Sequence, residues 1–514
     1  MRKFFCRLLC VIVAMVVTLS CSNEGKTGGI LEQVPADADL VVVGNVKAIV
    51  ESAGGSLENS EIKLPQDLID IMPEGTSLSL RDVNKFLKSS HVDLEACAVF
   101  GSYADDQGVV VLALNDKDLF VEAIKSRAYK KIKADGDMDV YAKYVLDGYD
   151  YVALNGSYAY LLKDAKTTKE FSPTKYLQQV SEGAAKKSFA ETSYGKYIAG
   201  GNAIGIAASG NADIKQMLQG AGIPSAALSM FDGMICMRGD LSSNKCAVEI
   251  KMFDGEGNEL KADKVMPFMD NSSTISKKAI AILDEKESVA YAFSLKNVDW
   301  NQYIDMVAQA SGLSRADRAQ LNLVLPYLEN IDGTVAIGFG LANGLESVSG
   351  MYMGDDLLSQ FSATIVLETK EGKAKRLIED IKGMLEGMSV PFDESGSGIS
   401  VNLAGLGMAG TLYAQSIDDV LVVANHPINK ENKNIFVGDN EFTKSRFAAY
   451  GKLAKGDKLA SDLKIDNDVT IACYSKPEIM GASMMLEIDG DAEGKAGIIQ
   501  KLVKLVAKAG GKAS

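Results

Sequence analysis

Short apolar runs alternate with amphipathic stretches along most of the chain. The apolar runs are rich in Val, Ile, Ala and Tyr and often follow one another in hairpin order, which is typical of strands. The amphipathic stretches predict helices, and one of them gathers six apolar side chains on a single stripe: Leu377, Ile378, Ile381, Met384, Leu385 and Met388. Because such a stripe needs a sheet to cover, the pattern predicts an α+β fold, with an antiparallel or mixed sheet and helices packed on one face.

The predicted elements occur twice in the same order. A strand ending in lysine opens each half, at 39–47 and at 288–296, and a helix follows it. Further matched strands are 96–101 with 335–340, 110–114 with 363–367, 158–162 with 419–423, and 203–208 with 469–474. The repetition predicts two tandem homologous α+β domains, at 34–275 and 276–514.

The N-terminal segment has the layout of a secretory leader. A basic start at 2–7 precedes an uncharged apolar run at 8–19, which is too short to cross a bilayer as a stable helix. The run ends in Thr-Leu-Ser-Cys, which resembles the lipobox of bacterial lipoproteins. The resemblance implies a signal peptide at 1–20 and acylation of Cys21 after cleavage. A plain signal peptide with an incidental cysteine is the alternative interpretation.

The residues after the cysteine indicate a location. The small, polar stretch 21–33 is predicted to be a flexible tether. Ser22 stands where an aspartate retains well-studied lipoproteins in the inner membrane, so the outer membrane is favoured, facing the periplasm or the cell surface. Since two or three acyl chains give durable attachment, the membrane is a predicted partner through the N-terminal lipid.

Composition limits the remaining partners. The formal net charge is −14, and removal of the basic leader makes the chain more acidic. An acidic chain lacks the basic stripe that binds nucleic acid, so no nucleic-acid partner is expected. With 47% hydrophobic and 24% charged residues, the chain is predicted to be an ordinary folded protein.

The opening of the mature chain resembles a family. Residues 34–43, Val-Pro-Ala-Asp-Ala-Asp-Leu-Val-Val-Val, follow the lipobox and tether and lead into a helix that begins with lysine. This arrangement is similar to the secreted lipoproteins of Gram-negative anaerobes grouped as domain of unknown function 4836. The resemblance implies a location and a fold, and it implies no activity or catalytic residue.

The chain offers few groups for chemistry. Two histidines, His91 and His426, occupy non-equivalent places in the two halves, so neither histidine catalysis nor a metal site is expected, and each is predicted to be a surface or loop-edge residue. Cys236 and Cys246 flank a predicted hairpin turn, where they could form a disulfide or stay as buried thiols. The glycine-rich segment 338–344 has one residue too many for a dinucleotide loop and is interpreted as a hairpin.

The function predicted from these features is non-enzymatic binding of an unknown protein or small molecule, with no cofactor and no metal. Tyr291, Phe293 and Trp300 are the candidate binding aromatics. Two alternatives stay open: a hydrolase of envelope or dietary polymers with an unidentified carboxylate pair, and a structural surface component.

Overall fold

The structure is a computed structural model that describes residues 26–58, 60–70, 76–102, 107–133, 136–145, 148–168, 171–210, 232–311, 315–341, 344, 358, 360–406, 410–462, 465–489 and 497–502. By their contacts, the described residues form two compact units. Unit 1 takes those within Met1–Ile214, Asp232–Asn258 and Asp491–Ser514, and unit 2 takes those within Glu259–Gly490. The change from unit 1 to unit 2 at residue 259 precedes the predicted boundary at 276.

Unit 1 contains strands β1 to β12. Their bounds are Leu40–Gly44, Ser56–Glu58, Glu61–Lys63, Val92–Ser102, Gln107–Leu114, Lys130–Ile132, Asp139–Val145, Gly148–Asn155, Tyr158–Ala165, Ile204–Ser209, Met234–Leu241 and Lys245–Phe253. Strands β2 and β3 form a separate hairpin. The others form an antiparallel sheet in the order β12-β11-β10-β1-β4-β5-β9-β8-β7-β6.

Helices α1 to α7 of unit 1 lie between these strands. Their bounds are Lys26–Leu31, Val46–Ser52, Gln66–Ile69, Thr76–Ser90, Lys117–Ser126, Pro173–Lys186 and Ser193–Ala199. Side-chain caps begin several of them. Asp116 accepts hydrogen bonds from the backbone N–H groups of Asp118 and Leu119 at the start of α5, and Ser172 caps α6, whose first residue is a proline.

Both faces of the unit 1 sheet are covered by helices. In β8, Tyr151 and Ala153 belong to one buried cluster and Val152 and Leu154 to another, because successive side chains of a strand point to opposite faces. The first cluster includes side chains of α1, α6 and α7, and the second includes side chains of α2, α4 and α5. The prediction of helices on one face is therefore wrong. Strands such as β1, with sequence LVVVG, read as continuous apolar runs because both of their faces are buried.

Unit 2 contains strands β13 to β22. Their bounds are Val289–Leu295, Ile331–Leu341, Phe361–Thr369, Asp393–Ser395, Gly398–Asn402, Thr411–Ile417, Val420–Ala424, Phe447–Leu453, Val469–Ser475 and Gly481–Ile488. Helices α8 to α14 are Ala262–Val265, Lys277–Ile280, Trp300–Ser311, Arg315–Leu328, Lys373–Gly387, Asn440–Lys444 and Lys458–Asp462.

The strand order of unit 2 matches that of unit 1. Its antiparallel sheet runs β22-β21-β20-β13-β14-β15-β19-β18-β17-β16. Replacing each strand by the corresponding strand of unit 1 gives the same sequence of neighbours. Again the helices lie on both faces. In β19, Val420 and Val422 pack in the cluster that contains side chains of α9 and α13, whereas Leu421 packs under α12.

The structure also bears on the predictions for the N-terminal part of the chain. The stretch 21–33 was predicted to be a flexible tether, but residues 26–31 form helix α1, and the side chains of Ile30 and Leu31 are 1% and 0% exposed. The tether prediction is wrong for these residues because their apolar side chains fill the core of unit 1. Cys21 and the leader lie outside the described residues. Within the described part of the chain, no helix is long and apolar enough to span a membrane.

Candidate functional site

A cavity lies within unit 2, at the edge of the sheet where several strands end. Its volume is about 740 Å³. The walls come from the turn before β13, the end of β14, the start of β15, the residues after β19 and the end of β20. Because neighbouring strands are antiparallel, these alternating starts and ends meet at one edge of the sheet. Apolar walls are provided by Leu341, Leu358, Phe361 and Ile435. We call this space the His426 cavity.

Glu287, in the turn before β13, supplies a buried carboxylate to the His426 cavity. Its side chain is 0% exposed. The Oε2 atom accepts a hydrogen bond from the Asp284 backbone N–H at 3.0 Å. The Oε1 atom accepts no hydrogen bond from any residue that the structure describes. Burial of a carboxylate oxygen without a hydrogen-bond donor costs free energy. A ligand that enters the cavity and donates a hydrogen bond to Oε1 recovers part of this cost.

Two glycines of β14 make room for the turn that carries Glu287. A Cβ atom on Gly338 would lie 1.9 Å from Glu287 Oε2, and a Cβ on Gly340 would lie 2.1 Å from the Lys286 carbonyl oxygen. Both distances are far below a van der Waals contact, so no side chain fits at either position. The glycine-rich segment was interpreted as a hairpin, and its residues 338–341 form the end of strand β14, which pairs antiparallel with the next strand, β15.

His426 lies between two carboxylates. Its Nδ1 atom is 3.7 Å from Asp284 Oδ2, and its Nε2 atom is 3.7 Å from Glu287 Oε1. Nδ1 also lies 3.1 Å from the Pro427 carbonyl, which can only accept, so Nδ1 carries a proton. Burial opposes the charged imidazolium, yet the nearby Glu287 carboxylate, the Pro427 carbonyl and the charge of Asp284 together raise the pKa of His426 above its ordinary value.

His426 lies at a loop edge, as predicted, because it follows the end of β19. Its side chain is nevertheless only 21% exposed and lies close to charged groups that are distant in sequence. His91 is exposed, as predicted, and has a positive φ of 50°.

The side chains around His426 match the order of a catalytic triad only in part. Thr364 Oγ1 lies 3.0 Å from Nε2, so Thr364, His426 and Asp284 follow the order of a hydroxyl–imidazole–carboxylate triad. Thr364, however, is only 1% exposed and does not line the cavity, so its hydroxyl cannot reach a substrate there. The two carboxylates face different ring nitrogens, so one metal ion could not bind all three side chains. Among the described residues, no group of three or more His, Cys, Asp or Glu side chains could hold a metal.

A second cavity occupies the corresponding place in unit 1. Its volume is about 500 Å³. It is lined by the segment before β1, the end of β4 and the residues after β9, which correspond to the walls of the His426 cavity. The chemistry differs. Its lining includes Asp37, Ser172, Lys175 and Tyr176 but no histidine.

The predicted binding aromatics lie elsewhere in unit 2. Tyr291 and Phe293 share one face of β13, where Tyr291 is 50% exposed. Residues paired with this row extend the same apolar face across neighbouring strands, and Ile337 and Ile365 are 43% and 41% exposed. Trp300 lies on α10 and packs against Tyr303, with ring centroids 5.9 Å apart. The structure thus unites two of the three aromatics on an exposed sheet face, outside the His426 cavity.

The cysteine pair Cys236 and Cys246, for which a disulfide and buried thiols were the two alternatives, is not joined by a disulfide. Cys236 and Cys246 are both free. The strands β11 and β12 do form a hairpin, but its register places Cys236 opposite Lys251 and Cys246 opposite Leu241. The two sulfurs therefore never face each other, and the alternative of unpaired thiols is the one observed.

Sequence reasoning missed Glu287 because the run Asp-Glu-Lys-Glu at 284–287 reads as a solvated turn. The available signal was the pair of glycines at 338 and 340. Glycines at alternate positions of a strand indicate that another group approaches that face closely. The sequence does not reveal which group that is.

Comparisons with known proteins give little further information. No family model matches the chain, and no curated protein matches it. Among solved structures, crystal form III of TP0453 is similar with a TM-score of 0.26 and 11% identity, over 43% of this chain and 79% of that chain. Crystal form IV of TP0453 gives a TM-score of 0.25 with the same identity and coverage. Likeness at this level carries no argument about fold or function.

Proposed function

We propose that this chain is a lipid-anchored envelope protein that binds a small molecule in the His426 cavity without transforming it. The observation that carries the proposal is the buried Glu287 carboxylate, whose Oε1 atom has no described hydrogen-bond donor, beside a cavity of about 740 Å³. Sites for small molecules are commonly concave and largely apolar, with a few fixed polar groups, and the volume is in their usual range.

A second orphaned polar atom supports binding at this place. Ser362 lines the cavity, and its Oγ atom is buried without a hydrogen-bond partner among the described residues. A hydroxyl can donate or accept, so Ser362 and Glu287 together offer a donor and an acceptor to one ligand. Native proteins leave few such atoms unpaired, and two beside one cavity are best explained by a ligand that pairs with them.

The proposal includes an origin of the two units by tandem duplication. The identical strand order supports it, as does the presence of a cavity at the corresponding sheet edge of each unit. Different lining residues then give each unit its own ligand preference, because specificity depends on the side chains of a site and a fold can carry many sites.

Envelope attachment rests on the leader and Cys21. We expect Cys21→Ser to release the protein from the membrane fraction or to leave it as an uncleaved precursor. Unchanged fractionation together with normal processing would contradict lipid anchoring. The structural-component alternative predicts no bound small molecule, and the hydrolase alternative predicts turnover of a polymer.

Binding itself is tested on the full chain isolated from membranes of its native host. Native mass spectrometry should detect a small molecule that leaves on denaturation. Ser362→Phe, which fills the cavity, should abolish this mass shift, whereas Ser89→Phe on the exposed surface of α4 should keep it. A wild-type chain that carries nothing, or a mass shift that survives Ser362→Phe in a folded variant, would overturn the proposal.

A further inference from the structure

The charges around the His426 cavity indicate the class of ligand. The innermost charged group is Glu287, which is fully buried, and Asp284 lies on the other side of the imidazole with its side chain 13% exposed. One imidazolium can balance only one of these carboxylates, and a neutral imidazole balances neither. The floor of the cavity is therefore short of positive charge.

The basic side chains that line the cavity do not supply the missing positive charge. Lys458 binds Asp462 at 2.7 Å, and Lys452 Nζ lies 3.8 Å from Asp468. Lys286 is exposed. Lys286 therefore lies at the protein surface, and Lys452 and Lys458 lie beside carboxylates other than Glu287.

We infer that the His426 cavity binds a small organic amine in its protonated form, with the ammonium group donating to Glu287 Oε1 and the carbon skeleton against the apolar walls. The inference deepens the proposed function and rests on it. An ammonium group supplies both the missing donor and the missing charge, and a charge-assisted hydrogen bond is about twice as strong as a neutral one. Leu341, Leu358, Phe361 and Ile435 then contact the apolar body of the amine.

Protonation of His426 should oppose this ligand. The proton and the ammonium group both place positive charge beside Glu287 Oε1, so each weakens the other. The other titratable groups that face this region are Asp284 on the same turn and the lining residues Glu285, Lys286, Lys452, Asp457 and Lys458. His426 is the histidine among these groups, and histidine is the side chain whose charge ordinarily changes between about pH 5 and about pH 8, so His426 dominates the pH dependence.

Three ligands of one shape test the inference on the full mature chain. Benzylammonium, benzyl alcohol and benzoate differ in charge and share a phenyl ring. We expect calorimetry at about pH 8 to give benzylammonium a Kd about tenfold or more below that of the alcohol, which corresponds to one charge-assisted bond. Benzoate should bind more weakly than either. Equal affinities, or a preference for benzoate, would overturn the inference.

Matched variants identify the carboxylate. Glu287→Gln keeps the shape of the side chain and should raise the Kd of benzylammonium to that of benzyl alcohol. Glu386→Gln removes the same charge from an exposed position of α12, a helix that does not line the cavity, and should change the Kd less than about twofold. If Glu287→Gln does not fold, the pH dependence of the wild type is the test. Its affinity for benzylammonium should fall several-fold between about pH 8 and about pH 5. A constant or rising affinity would overturn the inference.

These outcomes separate the inference from the proposed function. If the purified chain carries a small molecule that Ser362→Phe abolishes, yet benzylammonium shows no preference, the cavity binds a ligand of another class and only the inference fails. If no probe binds and no molecule co-purifies, both fail.

Discussion

Substitution of Gly338 by alanine tests whether the close approach of strand β14 and Glu287 holds the site together. The new Cβ would lie 1.9 Å from Glu287 Oε2 and 3.1 Å from Leu283 Cδ2. Leu283 is 0% exposed and cannot move aside, so the carboxylate must shift by about 1 Å or more. That movement breaks the hydrogen bond that Oε2 accepts from the Asp284 backbone N–H.

The magnitude follows from these contacts. Overpacking of a full interior costs about 1–3 kcal/mol, and loss of a hydrogen bond to a charged group costs about 1.5–3 kcal/mol. The two free-energy costs do not add in full, because a carboxylate that moves away loses its hydrogen bond but no longer clashes with the new Cβ. We therefore expect Gly338→Ala to lower the free energy of unfolding by about 2–3 kcal/mol.

The assay is urea unfolding, followed in the transition of unit 2, since a chain with two compact units need not unfold in one step. Gly451→Ala in β20 is the control, because its Cβ would meet Val289 Cγ2 at an ordinary 3.5 Å. It should be neutral or stabilise by up to about 1 kcal/mol. In Glu287→Ala the clash with a Cβ at 338 disappears, so the double variant should be about 1–3 kcal/mol more stable than the sum of the single effects predicts. Additive effects, or equal effects of the two glycine substitutions, would refute the reasoning.

Three other outcomes can be checked separately. Burial raises the pKa of Cys236 to about 12, so iodoacetamide at about pH 8 should modify the half-buried Cys473 well before Cys236, and equal rates in the native protein would contradict the placement of Cys236. Because the folded state raises the pKa of His426, its charge-dependent stabilisation should be complete below about pH 6.5 and disappear as the pH rises through the folded pKa. The difference in urea midpoint between wild type and His426→Gln should therefore shrink with rising pH, and a constant difference would argue against a charged pair. Tyr291→Thr combined with Ile471→Thr should change the unfolding free energy by less than about 1 kcal/mol, since both side chains are exposed, and should reduce the binding of a hydrophobic dye; unchanged dye binding would show that this face is not accessible.

The order of the strands along the chain could be predicted from the apolar pattern, but the register that matches the strands of one unit to those of the other could not. The matched runs 96–101 and 335–340 are both strands of the sheets. Aligned letter by letter, they pair Ala98 with Ile337, although Ala98 is fully buried and Ile337 is 43% exposed. A shift by one residue moves every side chain to the opposite face of the sheet. Because these strands are apolar on both faces, the sequence does not show which register is correct.

The helices on both faces could have been predicted from the same strands. A sheet with one solvated face alternates apolar and polar residues, whereas β1 and β19 are apolar throughout. The burial of Ile30 and Leu31 is harder to anticipate, because the surrounding residues Lys26, Thr27 and Gly28 have the composition of a linker. Their burial depends on a place in the core that only the folded unit supplies.

The position and the chemistry of the cavities have different origins. Each unit brings the start of its first strand, the end of the next and the residues after a third to one edge of the sheet, so strand order determines where a cavity forms. The side chains come from segments outside the strands, where substitution disturbs no strand pairing. In unit 1, Asp37 before β1 and Lys175 in α6 lie at this edge, whereas in unit 2 Glu287 and His426 lie there. Strand order therefore determines the position of both cavities, whereas the chemistry of each cavity depends on the charged side chains that line it.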